Sequence, residues 1–191
     1  MKVTVKNTSD IVQDISKQGN SCTEFTFIPH GHGTLRWPDG ASYTGDIRDG
    51  KANGNGKFTH ANGDTYDGQF LDDQAHGQGE YIYHEYKQRY IGGWVNDMQH
   101  GIGREELCDG SVYEGYFFEG RKHGFGRYQW LDQSVYCGYW EANEMSGYGQ
   151  FIAADQRKYT GLYQNSQFHG AGIYEWPDGR MYRGQYANDK K

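Results

Sequence analysis

The chain has 191 residues, a net charge of −6, and an unusual pairing of 29 glycines with 17 Tyr, 9 Phe and 5 Trp. The acidic balance argues against a nucleic-acid binder, which needs a basic face to release counterions. No stretch approaches the ~20 apolar residues of a membrane span. Glycine at about twice its usual ~7% would suit a disordered chain, but such chains lack aromatics, and here the two recur in fixed register.

The N-terminus, MKVTVKNTSD, lacks the apolar core of a secretory signal. Cys22, Cys108 and Cys137 form an odd set without CxxC spacing, so no disulfide framework is expected and the protein reads as intracellular. Residues 1–28 read as an N-terminal extension. Lys2 to Val5 is a short strand, and Asp10 is placed to cap a helix carrying Ile11, Val12 and Ile15, with Gln13 at the capping-box position and Gly19 as its stop. Two turns of helix are marginal alone, so the extension is either a cap docked on the body of the chain or a mobile tail. Thr23 to Ile28, with Phe25 and Phe27 in alternation, reads as a strand.

From residue 29 a repeat is visible. Tyr43, Tyr66, Tyr90, Tyr113, Tyr136, Tyr159 and Tyr182 stand 23 or 24 residues apart. Each is followed two residues later by a glycine: Gly45, Gly68, Gly92, Gly115, Gly138, Gly161 and Gly184. Two further on comes a large apolar residue, such as Ile47, Phe70, Trp94 or Trp140. A fixed period marks a repeat array. The array spans 29–191, with a partial repeat at 29–42, full repeats from 43, 66, 90, 113, 136 and 159, and a half repeat at 182–191.

Side chains at i, i+2 and i+4 share one face of a strand. In Tyr113-Glu-Gly115-Tyr-Phe117 that face is aromatic and glycine. The turn FEGRK follows, and then the alternating strand His123-Gly124-Phe-Gly126-Arg-Tyr128-Gln-Trp130. LDQS closes the unit where others have WPDG, HANG or CDG, pairs suited to positive φ. Each unit is therefore a β-hairpin. The fold class is all-β: consecutive hairpins that pair into one continuous antiparallel sheet. Both glycines of the second strand are expected on the aromatic face, where a missing Cβ leaves room for a neighbouring ring.

These residues resemble MORN repeats, with a pattern close to YxGxWxxGxxHGxGxxxxxDGxxY. YEGYFFEGRKHGFGRYQW and YTGLYQNSQFHGAGIYEWPDG carry the likeness. Asn53 and Ser146 replace the histidine, Glu85-Tyr86 replaces Asp-Gly, and Gln133 and Gln156 replace the turn glycine, which leaves local turn geometry open. The resemblance implies an elongated, twisted single-layer antiparallel sheet with a groove lined by repeat aromatics, and no catalytic activity. It implies cytoskeletal or ciliary scaffolds, radial-spoke heads and junctophilins among the relatives, and a helix or extended protein segment as the partner. The alternative it carries is a peripheral, phosphoinositide-associating module.

The groove residues expected to bind a partner are Trp37, Tyr81, Tyr83, Trp94, Glu105, Tyr128, Trp130, Trp140, Phe151, Tyr174 and Trp176. Glu105 stands in an aromatic-face slot and is placed to salt-bridge to a partner. Strong lipid binding is not expected, because Arg121-Lys122 with Arg127, and Arg157-Lys158, are short basic clusters. The opposite face is polar early and gains Ile91, Ile102, Tyr116, Phe125, Tyr139, Tyr148, Ile152, Leu162 and Ile173 later. That stripe is either extra internal packing or a second contact surface.

No catalytic motif, cofactor site or metal site is expected. The histidines His30, His76, His100, His123 and His169 recur one repeat apart, as structural residues do, and the Gly-x-Gly pairs sit inside strands rather than in a phosphate loop. His30-x-His32 with Cys22 is the nearest thing to a zinc set, without its spacing. Edge charges beside Tyr182 to Tyr186 favour a monomer.

Overall fold

The computed structural model describes residues 2–5, 11–14 and 25–191. They form seventeen strands: β1 Lys2–Val5, β2 Ile11–Asp14, β3 Phe25–Ile28, β4 Gly31–Arg36, β5 Ser42–Arg48, β6 Lys51–Thr59, β7 Thr65–Leu71, β8 Gln74–Tyr83, β9 Gln88–Val95, β10 Met98–Glu106, β11 Val112–Phe118, β12 Arg121–Gln129, β13 Val135–Glu141, β14 Glu144–Ile152, β15 Lys158–Gln164, β16 Gln167–Glu175 and β17 Met181–Tyr186. Contacts divide the chain into two compact units, the first formed by 1–85 and 94–97, the second by 86–93 and 98–191.

In the first unit β1, β4, β5, β6, β7 and β8 pair antiparallel in that order, and β2 pairs with β3 in a separate two-stranded sheet. The strand expected at Lys2 to Val5 is therefore present and docked on Gly31–Arg36. The helix expected from Asp10 is not. Ile11–Asp14 is a strand whose backbone pairs with Phe25–Ile28, while Asp10 and residues 15–19 lie outside the described residues. Four residues hold too little helix to resist a strand partner.

In the second unit β10 to β17 pair antiparallel in sequence order, so each repeat is a hairpin that pairs with the next. The register places tyrosine opposite an aromatic and glycine opposite glycine. Tyr113 faces Tyr128 and Gly115 faces Gly126 within one hairpin, and Gly126 faces Gly138 across to the next. A strip of glycines thus crosses the strands, with a tyrosine ring lying over it in each repeat. A Cβ on Gly126 would stand 2.4 Å from the Tyr113 hydroxyl and 2.5 Å from its ring. Real Cβ atoms do not approach so closely, so glycine is a steric requirement here.

The other glycine of the pair has a different role. Register slips between Gly115 and Phe117, which face Gly126 and Lys122, so the second strand bulges. Gly124 lies in that bulge with φ 62°, and a Cβ there would meet Tyr116 at an ordinary 3.5 Å. Tyr116 belongs to the opposite face. The expectation that both glycines open the aromatic face is corrected: one seats the ring and the other turns the bulge.

Beside the bulge, the tyrosine hydroxyl donates to the carbonyl three residues on. Tyr43 donates to Asp46 at 2.7 Å, Tyr113 to Tyr116 at 3.0 Å, and Tyr159 to Leu162 at 2.9 Å. Each such bond contributes about 0.5–1.5 kcal/mol. Four residues after their tyrosines, Phe70, Phe117, Trp140, Tyr163 and Tyr186 are each wedged between two tyrosines, edge to face. Phe117 lies 5.1 Å from Tyr113 and 5.0 Å from Tyr90, and Trp140 lies 5.3 Å from both Tyr136 and Tyr113. This ladder of rings replaces an aliphatic core, each pair adding about 0.5–1.5 kcal/mol beyond its burial.

Two kinds of turn join the strands. Within a hairpin two residues of positive φ make the link, for example Glu119 and Gly120, or Ala142 and Asn143, as a type I′ turn does. The second of them also clasps the preceding hairpin. Asn143 donates its amide to the Lys122 carbonyl at 3.0 Å and accepts the Lys122 amide at 2.9 Å. Asp73 with Ala52, Asp97 with Ala75, and Asp189 with Phe168 repeat the clasp. Between hairpins the Asp-Gly turn is held by the aspartate, as where Asp109 accepts the Ser111 amide at 2.8 Å. Gln133 and Gln156 replace its glycine and adopt the same left-handed φ, 72° and 69°. Turn geometry survives those substitutions.

Candidate functional site: the aromatic face

The sequence-predicted groove residues divide by depth. Trp94 and Trp140 are 6% and 7% exposed and are rungs of the core, Trp94 edge to face with Tyr66 and Trp140 between Tyr113 and Tyr136. Trp94 additionally donates its indole N–H to the Gly79 carbonyl at 3.1 Å. The residue four after the tyrosine is always this rung, and parity alone does not separate it from the rest of its face. Trp37, Tyr81, Tyr83, Glu105, Tyr128, Trp130, Phe151, Tyr174 and Trp176 remain half-buried.

These half-buried rings form rows along the outer part of the face. In the first unit Trp37 lies 5.4 Å from Phe58, and Tyr81 lies 4.5 Å from Tyr83. In the second, Tyr128 and Trp130 are 4.6 Å apart, Trp130 and Phe151 5.5 Å, and Tyr174 and Trp176 4.7 Å. Glu105 is not left for a partner. Its carboxylate pairs with the Lys122 ammonium at 2.5 Å, and that ammonium also lies 5.2 Å from the centre of the Tyr113 ring.

Which part of the face is covered depends on the residue nine after each tyrosine: Ala52, Ala75, Gln99, Lys122, Met145 and Phe168. Phe168 lies flat on Tyr159, ring centres 3.7 Å apart, and Lys122 lies over Tyr113. Ala75 reaches nothing comparable. A cleft of about 310 Å³ opens over Tyr66 instead, walled by Phe58, Tyr81 and Trp94, with Asp73 and Asp97 at its rim. This dependence on one small side chain was missed in the sequence, where position nine varies without pattern.

Ionisable groups in the first unit are tied into the fold. Burial opposes ionisation of Asp64, but the His84 amide, the Asn62 side chain and the Tyr81 hydroxyl hydrogen-bond it and hold its carboxyl below the usual range. Burial, with the Asp97 carboxylate nearby, pushes the Tyr66 phenol up to about 12. Among the described residues no group of three or more His, Cys, Asp and Glu is arranged to hold a metal. Cys22 lies outside them; His32 hydrogen-bonds Asp46 at 3.0 Å.

The opposite face of the second unit is open at several positions: Ile102 is 72% exposed, Phe125 60% and Tyr148 58%, whereas Tyr116, Ile152 and Ile173 are half-buried. Ile102 faces Tyr116, Phe125 faces Tyr139 and Tyr148 faces Leu162 across neighbouring strands, one apolar pair per hairpin step. Among the described residues no helix is long and apolar enough to cross a membrane.

Comparison with known proteins bears on this geometry. A family model described as MORN repeat matches residues 28–42, 43–65, 66–85, 90–112, 113–135, 136–156 and 159–179. Alsin of Rattus norvegicus is 29% identical over 89 residues, and Alsin of Homo sapiens 28% over the same length. In both cases the match covers 47% of this chain and 4% of Alsin, so the matched stretch is a small part of those relatives. Among solved structures, the TCP domain of SAS-4 (dCPAP) of Drosophila melanogaster, in complex with a proline rich motif of Ana2 (dSTIL), aligns with a TM-score of 0.50 at 14% identity. That alignment covers 97% of this chain and 98% of the fly domain, and shows a shared fold.

Proposed function

We propose that this chain, which belongs to the MORN-repeat family, is a scaffold or adaptor that holds an extended or helical segment of a protein partner across its strands. The MORN repeat is a non-catalytic module. The observation that carries the reading is the set of half-buried rings on the second unit, Tyr128, Trp130 and Phe151 in tilted and edge-to-face contact and Tyr174 tilted against Trp176. Trp and Tyr in such settings are the usual anchors of protein interfaces. Glu105, Trp94 and Trp140 leave the proposed contact set, because the first is paired internally and the others are core.

Spacing supports an extended segment. Strands lie about 4.7–4.9 Å apart, so hairpins recur every ~9.5 Å, close to the ~9.3 Å that three residues of polyproline helix span. A segment running across the strands thus presents one side chain per hairpin. The fly domain of like fold is bound to a proline rich motif, which agrees with that mode. A cytoskeletal or ciliary assembly in the cytoplasm is the setting we propose, on family grounds.

The exposed apolar ladder of Ile102, Phe125 and Tyr148 favours a second reading, in which the partner lies on the opposite face. The lipid alternative has less support. Of the two basic pairs, Lys122 is engaged by Glu105, Arg157 by Asp155 and Lys158 by Glu175. Affinity purification from the source cell with the wild type, Trp130→Ala, and a Phe125→Ser/Tyr148→Ser variant tests these readings. Loss of a co-purified protein with Trp130→Ala alone supports the groove, and loss with the double variant alone supports the ladder. Retention by both variants, or phosphoinositide-dependent pelleting with vesicles at physiological salt, overturns the proposal.

A further inference from the structure

We propose that the cleft over Tyr66 in the first unit is a subsite for one lysine or arginine side chain of a protein partner. This goes beyond the partner surface on the second unit and does not depend on it. The second unit supplies the pattern. There Lys122, nine residues after Tyr113, lies 5.2 Å from that ring and pairs with Glu105. A cation over a ring face is held by the ring quadrupole, and a nearby carboxylate adds direct attraction. Lys191 shows the same preference, its ammonium 4.3 Å from the Trp176 ring centre and 5.0 Å from that of Tyr182.

At the cleft over Tyr66 the ring and the negative charge are present, and no lysine or arginine is among the described residues that line it. Ala75 stands nine residues after Tyr66, where Lys122 stands relative to Tyr113. The place of Glu105 is taken by Phe58, which adds a wall to the cleft, and the charge moves to the turns. Asp73 and Asp97 stand where the Lys122 site has Gly120 and Asn143. Both carboxylates are solvent-exposed at the rim of the cleft, and each also accepts a backbone amide, that of Ala52 at 2.7 Å and that of Ala75 at 2.7 Å. Asp73, Asp97 and the rings of Phe58, His60, Tyr66, Phe70, Tyr81 and Trp94 surround about 310 Å³, a lining that disfavours a phosphate and suits an alkylammonium or guanidinium group.

The test is an NMR titration of the whole chain with single-residue probes: Nα-acetyl-lysine methylamide, its arginine analogue, its norleucine analogue and inositol trisphosphate. The Trp94 indole N–H reports on the cleft. A saturable, millimolar shift with the lysine or arginine probe is expected, with norleucine at least ~5-fold weaker. Asp73→Asn with Asp97→Asn keeps an oxygen for each backbone clasp, as Asn143 does, and should weaken the cationic probe roughly 5-fold or more. Ala75→Lys should abolish the shift by filling the cleft from within. No saturable shift, equal binding of norleucine, preference for inositol trisphosphate, or full binding after the Asp→Asn changes would overturn the proposal.

Discussion

Gly126→Ala is the most direct probe of the stacking. The new methyl carbon would sit 2.4 Å from the Tyr113 hydroxyl and 2.5 Å from its ring, so the ring must leave. Tyr113 is fully buried and its hydroxyl bonds the Tyr116 carbonyl. Displacing an aromatic side chain of this size forfeits about 1.5–3 kcal/mol of burial, and the hydrogen bond about 1 kcal/mol more. The expected loss is therefore about 2–4 kcal/mol, within reach of overpacking measured elsewhere at ~1–3 kcal/mol. Gly124→Ala serves as the contrast. It has room, so it meets only the backbone penalty of its positive φ, about 1–2 kcal/mol, less up to ~1 kcal/mol regained from a stiffer unfolded chain. Urea unfolding followed by tyrosine fluorescence compares them, with m-values checked because repeat arrays depart from two-state behaviour. The decisive arm is the double variant. In a Tyr113→Leu background the clash is gone, and Gly126→Ala should cost under ~1 kcal/mol. An equal cost in both backgrounds would refute the ring-over-glycine account.

Three other outcomes are expected. Tyr136→Phe should destabilise by about 1 kcal/mol through loss of its bond to the Tyr139 carbonyl, whereas Tyr163→Phe should be neutral or stabilising, because the Tyr163 hydroxyl is buried without a partner; thermal melts that rank the two in reverse would contradict the hydrogen-bond pattern. Gln156→Gly should raise stability by up to ~1 kcal/mol, since glutamine there holds φ 69°, and a lower melting temperature would show the turn does not carry that strain. At alkaline pH, burial raises Tyr66 and Tyr159 to about 12 in the folded state, above the unfolded value near ~10. The unfolded chain then releases protons first, so their contribution is complete below pH ~10 and is lost as pH rises towards 12; a urea unfolding midpoint that stays constant across that window would be the contrary result.

Much of the architecture was legible in the residues alone. The 23-residue period set the number and limits of the hairpins, and alternation put each tyrosine, its glycine and the following large residue on one face, because a strand repeats every two residues whatever surrounds it. The Asp-Gly turns were equally local. The helix expected from Asp10 failed for the opposite reason. Ile11, Val12 and Ile15 fit a helical face in a window too short to arbitrate, and Ile11–Asp14 pairs as a strand with Phe25–Ile28.

What only the tertiary structure decided concerns depth. Trp130 and Trp140 look alike in sequence, both aromatic and both on the tyrosine face, yet Trp140 is a buried rung and Trp130 lies half-open. Likewise the two glycines of each Gly-x-Gly read as equivalent until the bulge turned one of them towards the other face. The clasp of Asp97 on Ala75, and the cleft that Ala75 leaves where Lys122 would fill it, join residues of neighbouring repeats. Period and parity are written into each strand by its own backbone. Cover is supplied by the side chain nine residues on, from the second strand of the hairpin, and depends on how large that side chain is.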